Sequence, residues 1–336
     1  MPTAKSLLLH RPKSITATKT PRSLKPQKAR KLIRRYHVLQ KQRATLLRRI
    51  IQAQPEKLGL DSSSELAKYL KKEYPQHLKS YVIHKERAQK SGNLTNLVDD
   101  ENSDIHKICA QLGDIDGEIA SLGGIEAYQV ASTQGQDSLR GGDSSKKLVE
   151  WLKTNYSSII SGSNMLNALE IGCLSAKNAI STSKIFLEVI KIDLNSQNQS
   201  KILQQDFMQR PMPKNDSERF NLISCSLVIN FVPSPSQRGD MLRRITQFLK
   251  PPRNGSMSTL FMVLPLPCVS NSRYFDHQSM DEIMNALGFT KTCYYEAKKI
   301  AYWLYDWNGN VKHEYTFHKK EKHTGTKRNN FCITLD

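Results

Sequence analysis

The chain has 336 residues, enough for a catalytic domain of about 200 residues with a smaller appended region. An apolar content of 38% furnishes a core. No apolar run reaches the roughly 18 residues of a membrane span, and six scattered cysteines offer neither a CxxC zinc pair nor a disulfide framework. The formal net charge of +19 is uneven: residues 1–50 hold fifteen Lys and Arg and no acid, a balance that suits the phosphates of a nucleic acid.

Residues 1–26 read as a disordered basic arm, punctuated by Pro, Ser and Thr. The arm also reads as a nuclear import signal around Lys25 to Arg35. A mitochondrial presequence over 1–24 is disfavoured, because Pro12 and Pro21 interrupt it and its apolar residues lack helical spacing. Leu7 to Leu9 is too short for the core of a secretory signal.

Residues 27–122 read as a basic helical region. From Lys28 to Gln54, Leu32, Tyr36, Leu39, Leu46, Leu47 and Ile50 fall mostly on one helical face, and Pro55 stops the run. Ser62 with Glu65 makes a capping box for a second helix carrying Leu66, Tyr69 and Leu70. Lys90 to Asn93 reads as a loop, and Ile105 to Leu122 as a helix closed by Gly123–Gly124.

Residues 123–336 read as the catalytic domain. A Gly-rich loop leads to a helix at Ser145–Tyr156, capped by Asp143 or Ser144, with Leu148, Trp151 and Leu152 inside. Short apolar runs then predict strands at Met165–Ile171, Ile185–Ile192, Lys201–Gln204, Phe220–Cys225, Ser258–Leu264, Ile300–Tyr305 and Phe331–Leu335. Helices are predicted at Leu174–Thr182, Gln237–Leu249 and Asp281–Leu287. The alternation implies an α/β fold, a mainly parallel sheet with helices on both faces. His313, His318 and His323, among several lysines, read as a solvated, RNA-facing loop between the last two strands, not a metal site.

Ligands of such sheets bind beyond the carboxyl ends of the strands. The first strand ends Glu170-Ile171-Gly172-Cys173, where Gly172 lets the backbone turn sharply. Asp193 ends the second, placed to accept from ribose hydroxyls. At the third, Asp206 is placed to accept from an adenine amino group and Phe207 to stack or pack near the ring. A GxGxxG pyrophosphate cradle is missing, so the set suits a nucleoside cofactor without one, S-adenosylmethionine, better than a dinucleotide. The bland alternative makes Asp193 a strand-ending turn residue. The fourth strand runs into Asn230-Phe231-Val232-Pro233. Here Asn230 pairs with a purine edge and Phe231 stacks on a base, or the run is buried and Asn230 starts a turn. Without a Pro-Cys nucleophile, a covalent 5-methylpyrimidine mechanism is disfavoured.

These motifs, with Ile192-Asp193-Leu194-Asn195, Gln205-Asp206-Phe207-Met208, Arg238-Gly239-Asp240-Met241-Leu242 and the Gly-rich stretch Gly124 to Asp143, resemble the fungal 25S ribosomal RNA adenine-N1 methyltransferase family over residues 105–336. The resemblance implies a class I Rossmann-like methyltransferase fold with a basic helical N-terminal extension. It also implies S-adenosylmethionine, a large-subunit rRNA or pre-ribosome partner, and a place in the nucleus and nucleolus. No membrane or metal is expected, and the chain is expected to act as a monomer. The cofactor set is then Gly172, Asp193, Glu170, Asp206 and Phe207, and the catalytic pair Asn230 and Phe231. Asn230 to Pro233 departs from the Asn-Pro-Pro-Tyr of adenine-N6 enzymes, and the resemblance alone selects N1. An animal relative that senses S-adenosylmethionine without catalysis supplies the rival reading.

Overall fold

The computed structural model describes residues 26–51, 60, 62–92, 104–124, 127, 142–162, 165–196 and 198–336. The expected basic arm, the stop at Pro55 and most of the Gly-rich loop lie outside the described residues.

Four helices form the N-terminal unit: α1 (Pro26–Ile50), α2 (Ser63–Glu73), α3 (Pro75–Ser91) and α4 (Ile105–Ser121). On α1 the buried positions are Tyr36, Leu39, Arg43, Leu46, Leu47 and Ile50. The gap in the apolar period is therefore filled by a buried arginine. Its Nε donates to Asp116 on α4 at 2.7 Å, and Asp116 also accepts from the Tyr81 hydroxyl at 2.6 Å. Arg35 makes a second pair with buried Glu118 through Nε and Nη2, at 2.5 and 2.6 Å. Ser62 caps α2 as expected, accepting from the Glu65 amide at 3.2 Å, while the Glu65 carboxylate accepts from the Ser62 hydroxyl at 2.9 Å in place of the reciprocal backbone bond of a full capping box. The sequence reading had no separate α3: Tyr74 ends α2, and Pro75 opens a new helix with its fixed φ. Helices α3 and α4 approach backbone to backbone. A Cβ on Gly113 or Gly117 would stand 2.3 Å from the carbonyl oxygen of Tyr81 or Lys85.

The rest is a seven-stranded sheet: β1 (Asn167–Ile171), β2 (Glu188–Asp193), β3 (Leu203–Gln204), β4 (Leu222–Ser226), β5 (Thr259–Pro265), β6 (Phe289–Glu296) and β7 (Ile300–Trp307). The order is β3-β2-β1-β4-β5-β7-β6. Strands β1 to β5 run parallel, and β7 inserts antiparallel between β5 and β6. This is the class I Rossmann-like methyltransferase fold. Three longer helices flank the sheet: α5 (Ser145–Asn155), α6 (Pro235–Phe248) and α7 (His277–Ala286). Apolar clusters pack both faces, one with Leu148, Leu152 and Phe261, the other with Phe248, Met262 and Trp303.

Three expectations are corrected. The seventh strand is Phe289–Glu296, not Phe331–Leu335. Six of its eight residues are exposed and it lies at the sheet edge, so it lacks the apolar signature that marks a covered strand. Phe331 to Leu335 is buried, but only Leu335 makes a bridge, to Phe317. Consequently the His313–His323 segment follows the last strand instead of joining two. The segment expected to be helical from Leu174 is helical only over Ala179–Thr182.

Candidate functional site

The carboxyl ends of β1, β2 and β4 converge on one edge of the sheet. Gly172 leaves β1 with φ +73°, and its amide and that of Cys173 both donate to the Ile192 carbonyl, at 2.9 and 3.0 Å. A Cβ at Gly172 would stand 2.5 Å from Cγ2 of Val228, in the turn after β4. Glycine is thus required both by backbone conformation and by space.

Just before that turn lies Glu170, 7% exposed. Its Oε1 accepts from Asn178 Nδ2 at 2.6 Å, while its buried Oε2 has no hydrogen-bond partner. Burial pushes its carboxyl up to about 7, and neighbouring Asp143 pushes the same way. Asp143 ties three elements together. It accepts from the amide and hydroxyl of Ser145, at 2.9 and 2.6 Å, and from the Ala179 amide. Ser144 reaches β4 through a 2.8 Å hydroxyl contact with Ser226. The start of α5, the β1 exit and the β4 exit are therefore one hydrogen-bonded rim.

Asp193 ends β2, half-buried, its Oδ1 accepting from the Asn195 amide at 2.9 Å. Burial raises its carboxyl above the usual range. Asp206 follows β3 and caps a single helical turn by accepting from the Met208 amide at 2.8 Å. Phe207 is placed differently from expectation. Its ring is 3% exposed and packs against Phe248 of α6, 5.2 Å between centroids, with Arg244 over it. It sits in the core, because the turn capped by Asp206 rotates it away from the strand-end rim.

After β4 the backbone passes through Leu227 at φ +56°, an uncommon conformation for a non-glycine residue, and then a single turn over Ile229–Phe231. Asn230 is half-buried with Oδ1 lacking any hydrogen-bond partner, and Phe231 stays 37% exposed. Arg238 holds this turn. Buried to 2%, it donates to the carbonyls of Val232 at 2.9 Å, Pro233 at 3.2 Å and Cys332 at 2.5 Å. Helix α1 also reaches the site. The His37 ring stacks on Phe231 with centroids 3.9 Å apart and planes 14° apart. Burial, aided by Lys41, pushes the imidazole down to about 3, so it is neutral at physiological pH.

The structure thus brings Glu170, Gly172, Asp193, Asn230 and Phe231 to one edge and puts Asp206 beside it. Sequence reading missed Asn178 and His37, gave Asp143 only a capping role, and quoted Arg238 without a role. The adjacency of Gly142-Asp143 to a helix start was the one available signal.

Residues 113–333 match the family described as 25S rRNA (adenine(2142)-N(1))-methyltransferase, Bmt2. The chain belongs to this family. It is 34% identical to the 25S rRNA (adenine(2142)-N(1))-methyltransferase of Saccharomyces cerevisiae, over 94% of each chain. It is 40% identical to the 25S rRNA adenine-N(1) methyltransferase of Schizosaccharomyces pombe, over 66% of this chain and 81% of that one. Among solved structures it is similar to N-methyltransferase NodS of Bradyrhizobium japonicum WM9 in complex with S-adenosyl-L-homocysteine. That likeness has 12% identity and a TM-score of 0.36, over 51% of this chain and 91% of that chain. A 1,6-didemethyltoxoflavin-N1-methyltransferase of Burkholderia thailandensis gives 12% identity and a TM-score of 0.41, over 54% and 86%. The Gly172 turn and the β4 exit of this chain fall within the matched span.

Proposed function

We propose that this member of the 25S rRNA adenine-N1 methyltransferase family transfers a methyl group from S-adenosylmethionine to N1 of an adenine in large-subunit rRNA, at the edge formed by β1, β2 and β4. The observation that carries this reading is Asn230: a buried, unpartnered amide oxygen at the β4 exit, beside the glycine turn of β1.

The residues present fit the cofactor. Glu170 offers an unspent buried oxygen for its ammonium group, and Asp143 adds charge of the same sign. Gly172 clears space for its close approach. Asp193 is placed for its ribose hydroxyls, and Asp206 for its adenine amino group. Phe207 contributes from beneath, by packing the third strand's exit. When bound, the cofactor supplies an electrophilic methyl on a sulfonium.

Adenine N1 carries a lone pair at neutral pH, so the new N–C bond forms as the C–S bond breaks and no proton moves in the step. The protein's task is to orient and dehydrate the base. Asn230 accepts from the exocyclic amine and Phe231 supplies a face for stacking. N1 lies on the Watson–Crick edge, so the adenine must be unpaired or flipped out. Product adenine is cationic, which weakens its hold on a protein of formal net charge +19.

We place a basic arm at residues 1–26, a helical RNA-holding region at 27–122 and the catalytic domain at 123–336, in a monomer working in the nucleus and nucleolus on rRNA or a pre-ribosome. The test supplies labelled S-adenosylmethionine and unmodified large-subunit rRNA to the wild type, Asp193→Ala and Gly172→Arg. Labelled N1-methyladenosine from the wild type alone supports the reading. Cofactor binding with no transfer to rRNA or pre-ribosome would favour a sensor, and no cofactor binding would overturn the proposal.

A further inference from the structure

Helix α1 meets the catalytic domain in an unusual way. Its strong ion pairs, from Arg35 and Arg43, run to α4 within its own unit. Toward the catalytic domain it extends the His37 ring onto Phe231 and the Arg48 guanidinium to Gln237 Oε1 at 3.0 Å, an exposed bond. The contact at Phe231 is flat and nearly parallel, the geometry in which a base lies on an aromatic side chain. A neutral imidazole is a planar heteroaromatic ring, close in shape and polarity to the five-membered half of a purine. Beside it, on the same turn, Asn230 keeps a buried acceptor that His37 does not use. Simple packing would explain the ring contact but not the unspent amide oxygen, which suits the exocyclic amine of an adenine.

The surface around His37 favours a nucleic acid strand. Lys31, Arg34, Lys41 and Arg48 are all exposed and recur at three- and four-residue intervals with Val38 and Thr45 between, so they form one stripe along α1. Arg34 and Lys41 stand one turn to either side of His37. Phosphates following that stripe would deliver an unpaired base to the place the imidazole occupies.

We infer that the His37-covered face of Phe231 is the seat of the unpaired target adenine, and that His37 is a resident placeholder displaced when RNA enters. The inference rests on the RNA methyltransferase reading above. It makes α1 part of the substrate site: RNA that grips the stripe also draws the placeholder from its seat.

The experiment uses the full chain with isotope-labelled histidine and S-adenosylhomocysteine present. The probes are a short single-stranded uridine RNA carrying one central adenine and its all-uridine counterpart. In the free protein, the His37 ring protons should be shifted upfield by Phe231, and the shift should vanish in Phe231→Ala. Adenine RNA should abolish the shift in the wild type, and uridine RNA should not. His37→Ala, which leaves a good helix former in α1, should bind adenine RNA about twofold to tenfold more tightly by fluorescence anisotropy, the worth of one aromatic stack. Adenine RNA that binds while the His37 shift stays would overturn the placeholder and leave the RNA reading standing. Weaker adenine RNA binding by His37→Ala would do the same, making His37 a partner of the base. If neither RNA binds at high concentration, the RNA reading falls and the seat with it.

Discussion

The helical unit and the sheet domain solve the same packing problem with different chemistry. In the sheet domain the core is apolar on both faces and the strands are fixed by a ladder of backbone hydrogen bonds. In the helical unit, Arg43 and Asp116 are buried together, with Tyr81 and the Leu60 carbonyl completing their hydrogen bonds. Charge buried this way stabilises little by itself, yet removing one partner strands the other in a poorly polarisable interior. At least two of the fifteen N-terminal cations are therefore structural: Arg43 and Arg35 face Asp116 and Glu118, 73 and 83 residues away. A basic sequence is not by itself a measure of RNA-binding charge.

The sharpest way to break this comparison is Arg43→Ala. It should destabilise the helical unit by about 3–5 kcal/mol, seen as early loss of helical signal in a denaturant titration. An unchanged midpoint would mean that the pair is not what holds α1 to α4. On the sheet side, Gly239→Ala puts a Cβ 1.9 Å from the Thr334 carbonyl oxygen. Overpacking of this kind costs about 1–3 kcal/mol, so the thermal midpoint read from the sheet domain should move down.

Glu170 sharpens the comparison through pH. The folded carboxyl titrates near 7 against a reference of 4.5, so the folded state without cofactor holds the extra proton between those values. Stability without cofactor should therefore fall as pH rises through that window. Affinity for S-adenosylmethionine should move the opposite way and weaken from pH 8 to pH 6, as the carboxylate that meets the ammonium is protonated. Calorimetry on Glu170→Gln should show weaker binding with a flat pH profile in that range. The smallest effect belongs to Arg48→Ala. Its exposed bond to Gln237 adds less than about 1 kcal/mol to stability, while the salt dependence of RNA binding should lose about one unit of slope.

Much of the site was legible because parallel strands put their carboxyl ends on one edge. Once strands were placed near 171, 193 and 226, Gly172, Asp193 and Asn230 had to converge. What stayed hidden depended on partners distant in the chain. Nothing in the sequence marks His37, whose partner Phe231 lies far along the chain. Asn178 falls inside the helix expected over Leu174–Thr182, and nothing marks it until Glu170 is buried beside it. Phe207 misled because the strand-end rule says where the backbone goes, and the turn capped by Asp206 decides where the next ring points. Strand β6 escaped because an exposed edge strand has no apolar period to detect.

The clamp made by Arg238 has a consequence in time. The carbonyl it grips on Cys332 is 94 residues later in the chain. At about 5–20 residues per second of synthesis, the turn bearing Asn230 waits roughly 5–20 seconds after its own emergence before the clamp can close. A nascent chain halted before Cys332 should already pair β4 with β5 yet leave Asn230 and Phe231 unfastened, and limited proteolysis at that turn would reveal it.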